Sequence, residues 1–114
     1  MISLTLLLAI VWTHWVSDFV LQSDQMAKGK SSSVKWLSIH VAWYTLPFIL
    51  VFGFKFAIVN AIAHWAVDFV TSKVTSRLFK AGKNHYFFVA IGFDQAVHLS
   101  ILVATAYLAV PIWS

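Results

Sequence analysis

The chain has 114 residues, of which 61% are hydrophobic, 17% aromatic and only 11% charged, a balance that excludes a soluble domain with a wet surface and leaves a membrane protein. Its net charge of +4 comes from eight Lys and Arg against four Asp and Glu. Cysteine is absent, so a disulfide framework, a thiolate metal site and a Cys nucleophile are excluded as well.

At about 20 residues per crossing there is room for four spans in one transmembrane domain covering residues 1–114. The first is expected from Ile2 to Gln22; with no basic leader and no small-residue cleavage site, it reads as a mature span and not as a signal peptide. A polar loop from Ser23 to Ser33, rich in helix breakers, leads to the second span, Trp36 to Phe52, which Pro47 is expected to kink. A tight turn at Gly53 opens the third, Phe54 to Val74. Lys80 to His85 then lead into the fourth, Phe87 to Val110, ended at an interface by Pro111 and Trp113. Trp12, Trp36, Trp43 and Phe48 are expected to face lipid or the interfacial belt. The predicted fold is all-α: a polytopic membrane protein of four transmembrane helices, arranged as two antiparallel hairpins.

Lys28, Lys30 and Lys35 flank the first connection, and Lys73, Arg77, Lys80 and Lys83 flank the third, whereas the opposite side has only Lys55. The positive-inside rule makes the richer side cytoplasmic and puts both termini outside, in an inner (cytoplasmic) membrane. These lysines draw anionic lipid headgroups, so membrane lipids are expected partners. They border spans in twos and threes with no interleaved stacking aromatics, and no nucleic-acid partner is expected.

Three aspartates lie four residues from a histidine inside apolar segments: His14/Asp18, His64/Asp68 and Asp94/His98. That spacing puts both side chains of a pair on one helix face, within reach of a shared proton or metal ion. Counted from the cytoplasmic ends of the spans, the pairs lie at depths of about 6 to 17 Å. In each the aspartate is nearer the cytoplasm. Agreement in depth and direction predicts that the three pairs meet in one polar centre. A repeat supports the grouping: His14-Trp15-Val16-Ser17-Asp18-Phe19-Val20 recurs as His64-Trp65-Ala66-Val67-Asp68-Phe69-Val70, and both copies run the same way, as parallel repeats do. Gln22 and Asn60 extend these polar stripes, either orienting ligands or knitting helices together. Gln95 adjoins Asp94 but is expected to point elsewhere, and no role is assigned to it.

The pattern His14-x-x-x-Asp18-Phe19-x-Leu21-Gln22, then His40, His64-x-x-x-Asp68 and Gly92-x-Asp94-Gln95-x-x-His98 resembles the small bacterial and phage membrane family catalogued as domain of unknown function 3307, over nearly the whole chain. The resemblance implies these residues and no established activity. More distantly, the helical His/Asp pairs resemble those of membrane-bound metal-dependent hydrolases and of the zinc phospholipase C and P1-type nuclease group.

Intramembrane carboxylates cost roughly 2.5 to 3.5 kcal/mol each and persist where they have partners and a task. The six paired residues, His14, Asp18, His64, Asp68, Asp94 and His98, are therefore the expected metal ligands. Two divalent ions sharing bridging aspartates would use all six and leave positions open for water. Ligation by nitrogen and oxygen suits zinc first, with manganese or iron as alternatives. His40 is the expected catalytic group, acting as general acid for a leaving group or as a ligand from the remaining helix. The function so implied is metal-dependent hydrolysis of a lipid or phosphoester at the cytoplasmic headgroup level. The alternative is a small proton- or cation-conducting or transport subunit that uses the same His/Asp residues and forms a homo-oligomer; purely structural His–Asp pairs are a third reading.

Overall fold

Three serines begin three of the helices. Ser3, Ser23 and Ser33 each occupy an N-cap, where the hydroxyl accepts a hydrogen bond from the backbone N–H three residues on, at 3.1, 3.2 and 3.4 Å, and so satisfies a donor that the first turn leaves free. In the computed structural model, which describes residues 2–108, these caps open α1 (Leu4–Trp15), α2 (Asp24–Gly29) and α3 (Val34–Phe52). Two longer helices follow, α4 (Phe54–Lys80) and α5 (Asn84–Tyr107). No strand occurs among the described residues. The expected end of the fourth span at Val110, with Pro111 and Trp113, lies outside them.

Two features depart from the regular pattern. The polar segment after the first helix is not all loop, because Ser23 caps α2 inside it, and α2, with Met26 buried, packs against α3. The first helix ends in a π-helical turn over Val16–Val20, closed by Leu21 N–H donating to Val16 C=O at 2.9 Å. A π turn is wider than an α turn and recurs at functional sites. Here it carries Asp18.

Gly53 alone separates α3 from α4, and Ala81 to Lys83 separate α4 from α5, so consecutive helices run antiparallel. α4 packs along much of both α3 and α5, while α1 and its π turn touch α3 and α5 over shorter stretches. The four long helices thus form a ring, and α1 and α4 face each other across it. The two copies of the repeat sit on this diagonal. Packing is consequently closest around α4, and less even than two equivalent hairpins would give.

The interior is polar and the surface apolar. His14, Ser17, Asp18, His40, Asn60, His64, Asp68, Ser72, Asp94 and His98 are all buried, whereas Leu4, Trp12, Leu50, Ile62, Phe88 and Phe93 are exposed. An apolar plug of Ile10, Phe48, Phe52, Phe56 and Leu102 fills the Gly53 end. Phe48, expected at the lipid face, is fully buried within that plug. α3 and α5 are long and apolar enough to cross a membrane; Leu4–Val20 is apolar but shorter, and α4 carries Lys55, Asn60, His64 and Asp68 along its length.

Gly53 has φ 90° and ψ 169°, a region that is essentially glycine's alone. Gly53→Ala is predicted to destabilise the protein by about 1–3 kcal/mol. Gly92 is helical, with nothing within 4 Å of where a Cβ would stand, and Gly92→Ala is predicted to stabilise by about 0.5–1 kcal/mol. Denaturant titration in detergent compares the two; equal effects would contradict the turn geometry.

Candidate metal centre

Helical spacing of four builds one wall of the centre. On α3, His40, Tyr44, Phe48 and Phe52 follow each other at that interval and are all buried, so one face passes from imidazole to phenol to the apolar plug. On α4, Asn60, His64, Asp68 and Ser72 do the same. α5 contributes Asp94, His98 and Leu102. The π turn directs Asp18 at these three helices from the fourth side of the ring.

Four atoms converge there: Asp18 Oδ1, His40 Nε2, His64 Nε2 and Asp68 Oδ2. His40 Nε2 lies 3.1 Å from Asp18 Oδ1 and 3.3 Å from Asp68 Oδ2; His64 Nε2 lies 3.4 and 3.2 Å from the same oxygens; the two nitrogens are 3.2 Å apart. Five of the six edges joining these atoms are thus 3.1 to 3.4 Å, and a regular tetrahedron of that edge has its centre about 2.0 Å from each corner, a metal–ligand bond length for nitrogen and oxygen. Hydrogen bonding accounts poorly for the same cluster. Asp18 Oδ1 is buried and has no aligned hydrogen-bond partner among the described residues, despite two nitrogens within 3.4 Å. Lone pairs aimed at a common point, and not along the lines between atoms, give that result. These four residues could hold a metal ion.

Asp18, Asp94 and His98 form a second group within metal-ligand distances. His98 Nε2 stands 3.1 Å from Asp94 Oδ1 and 3.0 Å from Asp68 Oδ1. Asp18 therefore belongs to both groups, and the two oxygens of Asp68 face one group each. Outer contacts fix these carboxylates: Thr71 Oγ donates to Asp94 Oδ1 at 2.5 Å, and Lys30 Nζ donates to Asp68 Oδ2 at 3.2 Å. The His64 ring is sandwiched between Tyr44 and His98, with centroids 3.8 and 3.9 Å away, which sets the plane in which its Nε2 points.

A cavity of ≈ 570 Å³ reaches this centre from the end of the ring opposite the plug. Asp18, Asp68, Asp94 and Gln95 of the centre border it, together with the exposed Lys28 and Lys80 and with Lys30, which reaches Asp68.

The sequence profile of the family described as protein of unknown function DUF3307 matches residues 4–113, a stretch that contains every residue of the centre and its cavity. The chain belongs to that family. No curated protein matches it, and no solved structure does.

In this DUF3307 protein five of the six expected ligands, Asp18, His64, Asp68, Asp94 and His98, come together with His40. His14 stands apart. Its Nε2 is bonded to Gln95 Oε1 at 2.6 Å and its Nδ1 to the Tyr44 hydroxyl at 3.0 Å, and it lies 3.7 Å from Asp18 Oδ2. Asp18 lies in the wider π turn while His14 lies in the regular part of the helix, so the step of four between them is not one regular turn. Gln95, given no role from the sequence, is the correction of most consequence: besides accepting from His14, its Nε2 donates to Asp18 Oδ2 and Asp94 Oδ2, both at 3.1 Å. Its position three residues before His98 was the available signal. Of the two flanking amides, Asn60 knits α4 to α5 through Thr105 at 3.0 Å, while Gln22 borders the cavity with its Oε1 free of hydrogen bonds among the described residues.

Gln95→Leu removes the shared partner of His14, Asp18 and Asp94 and is predicted to cost about 1–3 kcal/mol. Tyr44→Phe removes one bond, keeps the ring against His64, and is predicted to cost about 1 kcal/mol. Unfolding titrations in detergent measure both; a Gln95→Leu protein as stable as wild type would contradict the network.

Proposed function

We propose that this chain is a membrane protein of four crossings whose buried His/Asp centre binds divalent metal and hydrolyses a lipid or phosphoester. The observation that carries this reading is the gathering of Asp18, His40, His64 and Asp68, with each imidazole nitrogen 3.1 to 3.4 Å from both carboxylate oxygens. An N₂O₂ set of that size suits zinc, which takes four tetrahedral ligands, better than manganese, which prefers six. The second group, with fewer protein ligands, suits a second ion with positions left for water and substrate. When bound, such ions supply an activated water and a Lewis acid.

The chain's own groups have separate tasks in this reading. His40 lies fully buried in the four-atom group, which favours the ligand role over the general-acid one. Asp18 and Asp68 would each offer an oxygen toward both groups, and Gln95 holds Asp18 and Asp94 together from outside. The membrane reading is supported by the inverted distribution of polarity, since an interior of imidazole and carboxylate inside a shell of Leu, Phe and Trp is stable only where the surrounding medium is apolar. Seven basic residues at the cavity end favour a cytoplasmic opening. A conducting path would need polar groups through the far end as well, and the plug of Ile10, Phe48, Phe52, Phe56 and Leu102 stands there instead.

Metal analysis of the protein purified in detergent is predicted to find zinc, lost in His40→Ala, His64→Ala and Asp68→Asn and retained in His14→Ala. Activity on lipid or phosphoester substrates should disappear on chelation and return with zinc. Metal retained in all four variants, or proton or cation flux in liposomes without any metal-dependent product, would overturn the reading.

The natural sequence has no cysteine, so single cysteines report topology cleanly. Ser32→Cys and Ala81→Cys are predicted to label only from the cytoplasmic side. Labelling from outside would turn the cavity to the other leaflet.

A further inference from the structure

The lining of the cavity contains two chemical sets of residues that the hydrolase reading leaves unexplained. One set is cationic and hydroxylated: Lys28, Lys30 and Lys80 together with Ser31, Ser32 and Ser76. The other is apolar, made by Phe19 from the π turn, Phe79 from the end of α4, and Phe87 and Ile91 from the start of α5. A soluble substrate would have no use for the aromatic set. A neutral lipid would have no use for the lysines.

The charge of the centre points the same way. With the two divalent ions of the proposed reading bound, three carboxylates would not neutralise them together with the Lys30 ammonium, and the excess positive charge would be left for an anion. Lys30 has three donors and spends one on Asp68 at 3.2 Å; the others are available at the cavity wall. A volume of ≈ 570 Å³ suits a headgroup and the first carbons of its tails, being within the ~300–1,000 Å³ of ordinary small-molecule sites.

From these observations, and resting on the metal-dependent reading above, we infer that the substrate is a phosphate ester carried on apolar tails, with its phosphate held by Lys28, Lys30 and Lys80 and its proximal carbons against Phe19, Phe79 and Phe87. Lys30 is a positioning residue that joins the phosphate to the Asp68 side of the centre. Hydrolysis of a monoester of this class consumes one water: the water oxygen bonds to phosphorus, the ester P–O bond breaks, and a water proton ends on the departing alcohol, leaving inorganic phosphate and a neutral lipid. Lysine ammonium groups bind phosphate as point charges, so the lysines set affinity for the anion while the aromatic residues set affinity for the tails.

The test is binding, measured on the zinc-loaded protein in detergent by native mass spectrometry, with three probes: dioleoyl phosphatidate, dioleoylglycerol and glycerol 3-phosphate. Phosphatidate is expected to bind at least about tenfold more tightly than either of the others. Lys28→Gln/Lys80→Gln, two exposed positions whose exchange leaves the core intact, is expected to weaken phosphatidate about tenfold or more, to leave dioleoylglycerol unchanged and to keep the full metal content. Equal binding of phosphatidate and dioleoylglycerol would overturn the phosphate half of the proposal. Glycerol 3-phosphate binding as tightly as phosphatidate would overturn the lipid half and name a soluble ester instead. Metal content read from the same spectra separates the two levels of the argument: a protein without metal that still prefers phosphatidate contradicts the hydrolase reading alone, and a metal-loaded protein without that preference contradicts the substrate class alone.

Discussion

Three buried carboxylates within a few ångströms of one another govern this structure. Asp18, Asp68 and Asp94 are each less than a tenth exposed, and charge removed from water is tolerated only where opposite charge and hydrogen bonds replace the solvent. Every nearby element contributes to that replacement: imidazoles from α3, α4 and α5, the amide of Gln95, the hydroxyl of Thr71 and the ammonium of Lys30. The apolar outer surface and the aromatic plug keep competing water away from all but one side. On the proposed reading, a metal pair completes the compensation that these neutral and singly charged groups begin.

Much of the centre was legible because helix periodicity is a strict ruler. Steps of four placed His64 with Asp68 and Asp94 with His98, and the structure keeps both pairs in contact at 3.2 and 3.1 Å. The shared direction of the pairs anticipated their convergence, and the repeat anticipated that the first and third long helices would hold related positions, which the ring realises as a diagonal. His40 was visible as an isolated polar residue at the start of an apolar run, although periodicity could not say whether it would donate a proton or coordinate an ion.

What stayed hidden depends on departures from that ruler. The π turn is one inserted residue's worth of geometry with no compositional mark in Val16-Ser17-Asp18-Phe19-Val20, and nothing in the spacing of His14 and Asp18 announced that His14 would bond Gln95 and Tyr44. Gln95 lies next to Asp94, so a single-helix view turns it away; only the approach of α1 from the side brings Asp18 and His14 within its reach. Lys30 is the C-cap of α2, a short helix formed where polar composition suggested loop, and no spacing rule relates it to Asp68, thirty-eight residues on. Phe48 shows the same limit, since an aromatic on an apolar helix carries no sign of which side meets another helix and which meets lipid.

The central claim is that Asp18, His40, His64 and Asp68 enclose a metal ion. X-ray absorption at the zinc edge of the purified, zinc-loaded protein tests it most directly. The account predicts a first shell of about four nitrogen and oxygen neighbours near 2.0 Å, with the outer-shell pattern of imidazole, and a lower zinc content with weaker imidazole scattering in His40→Ala/His64→Ala. A six-oxygen shell without imidazole scattering, unchanged in that double variant, would contradict it.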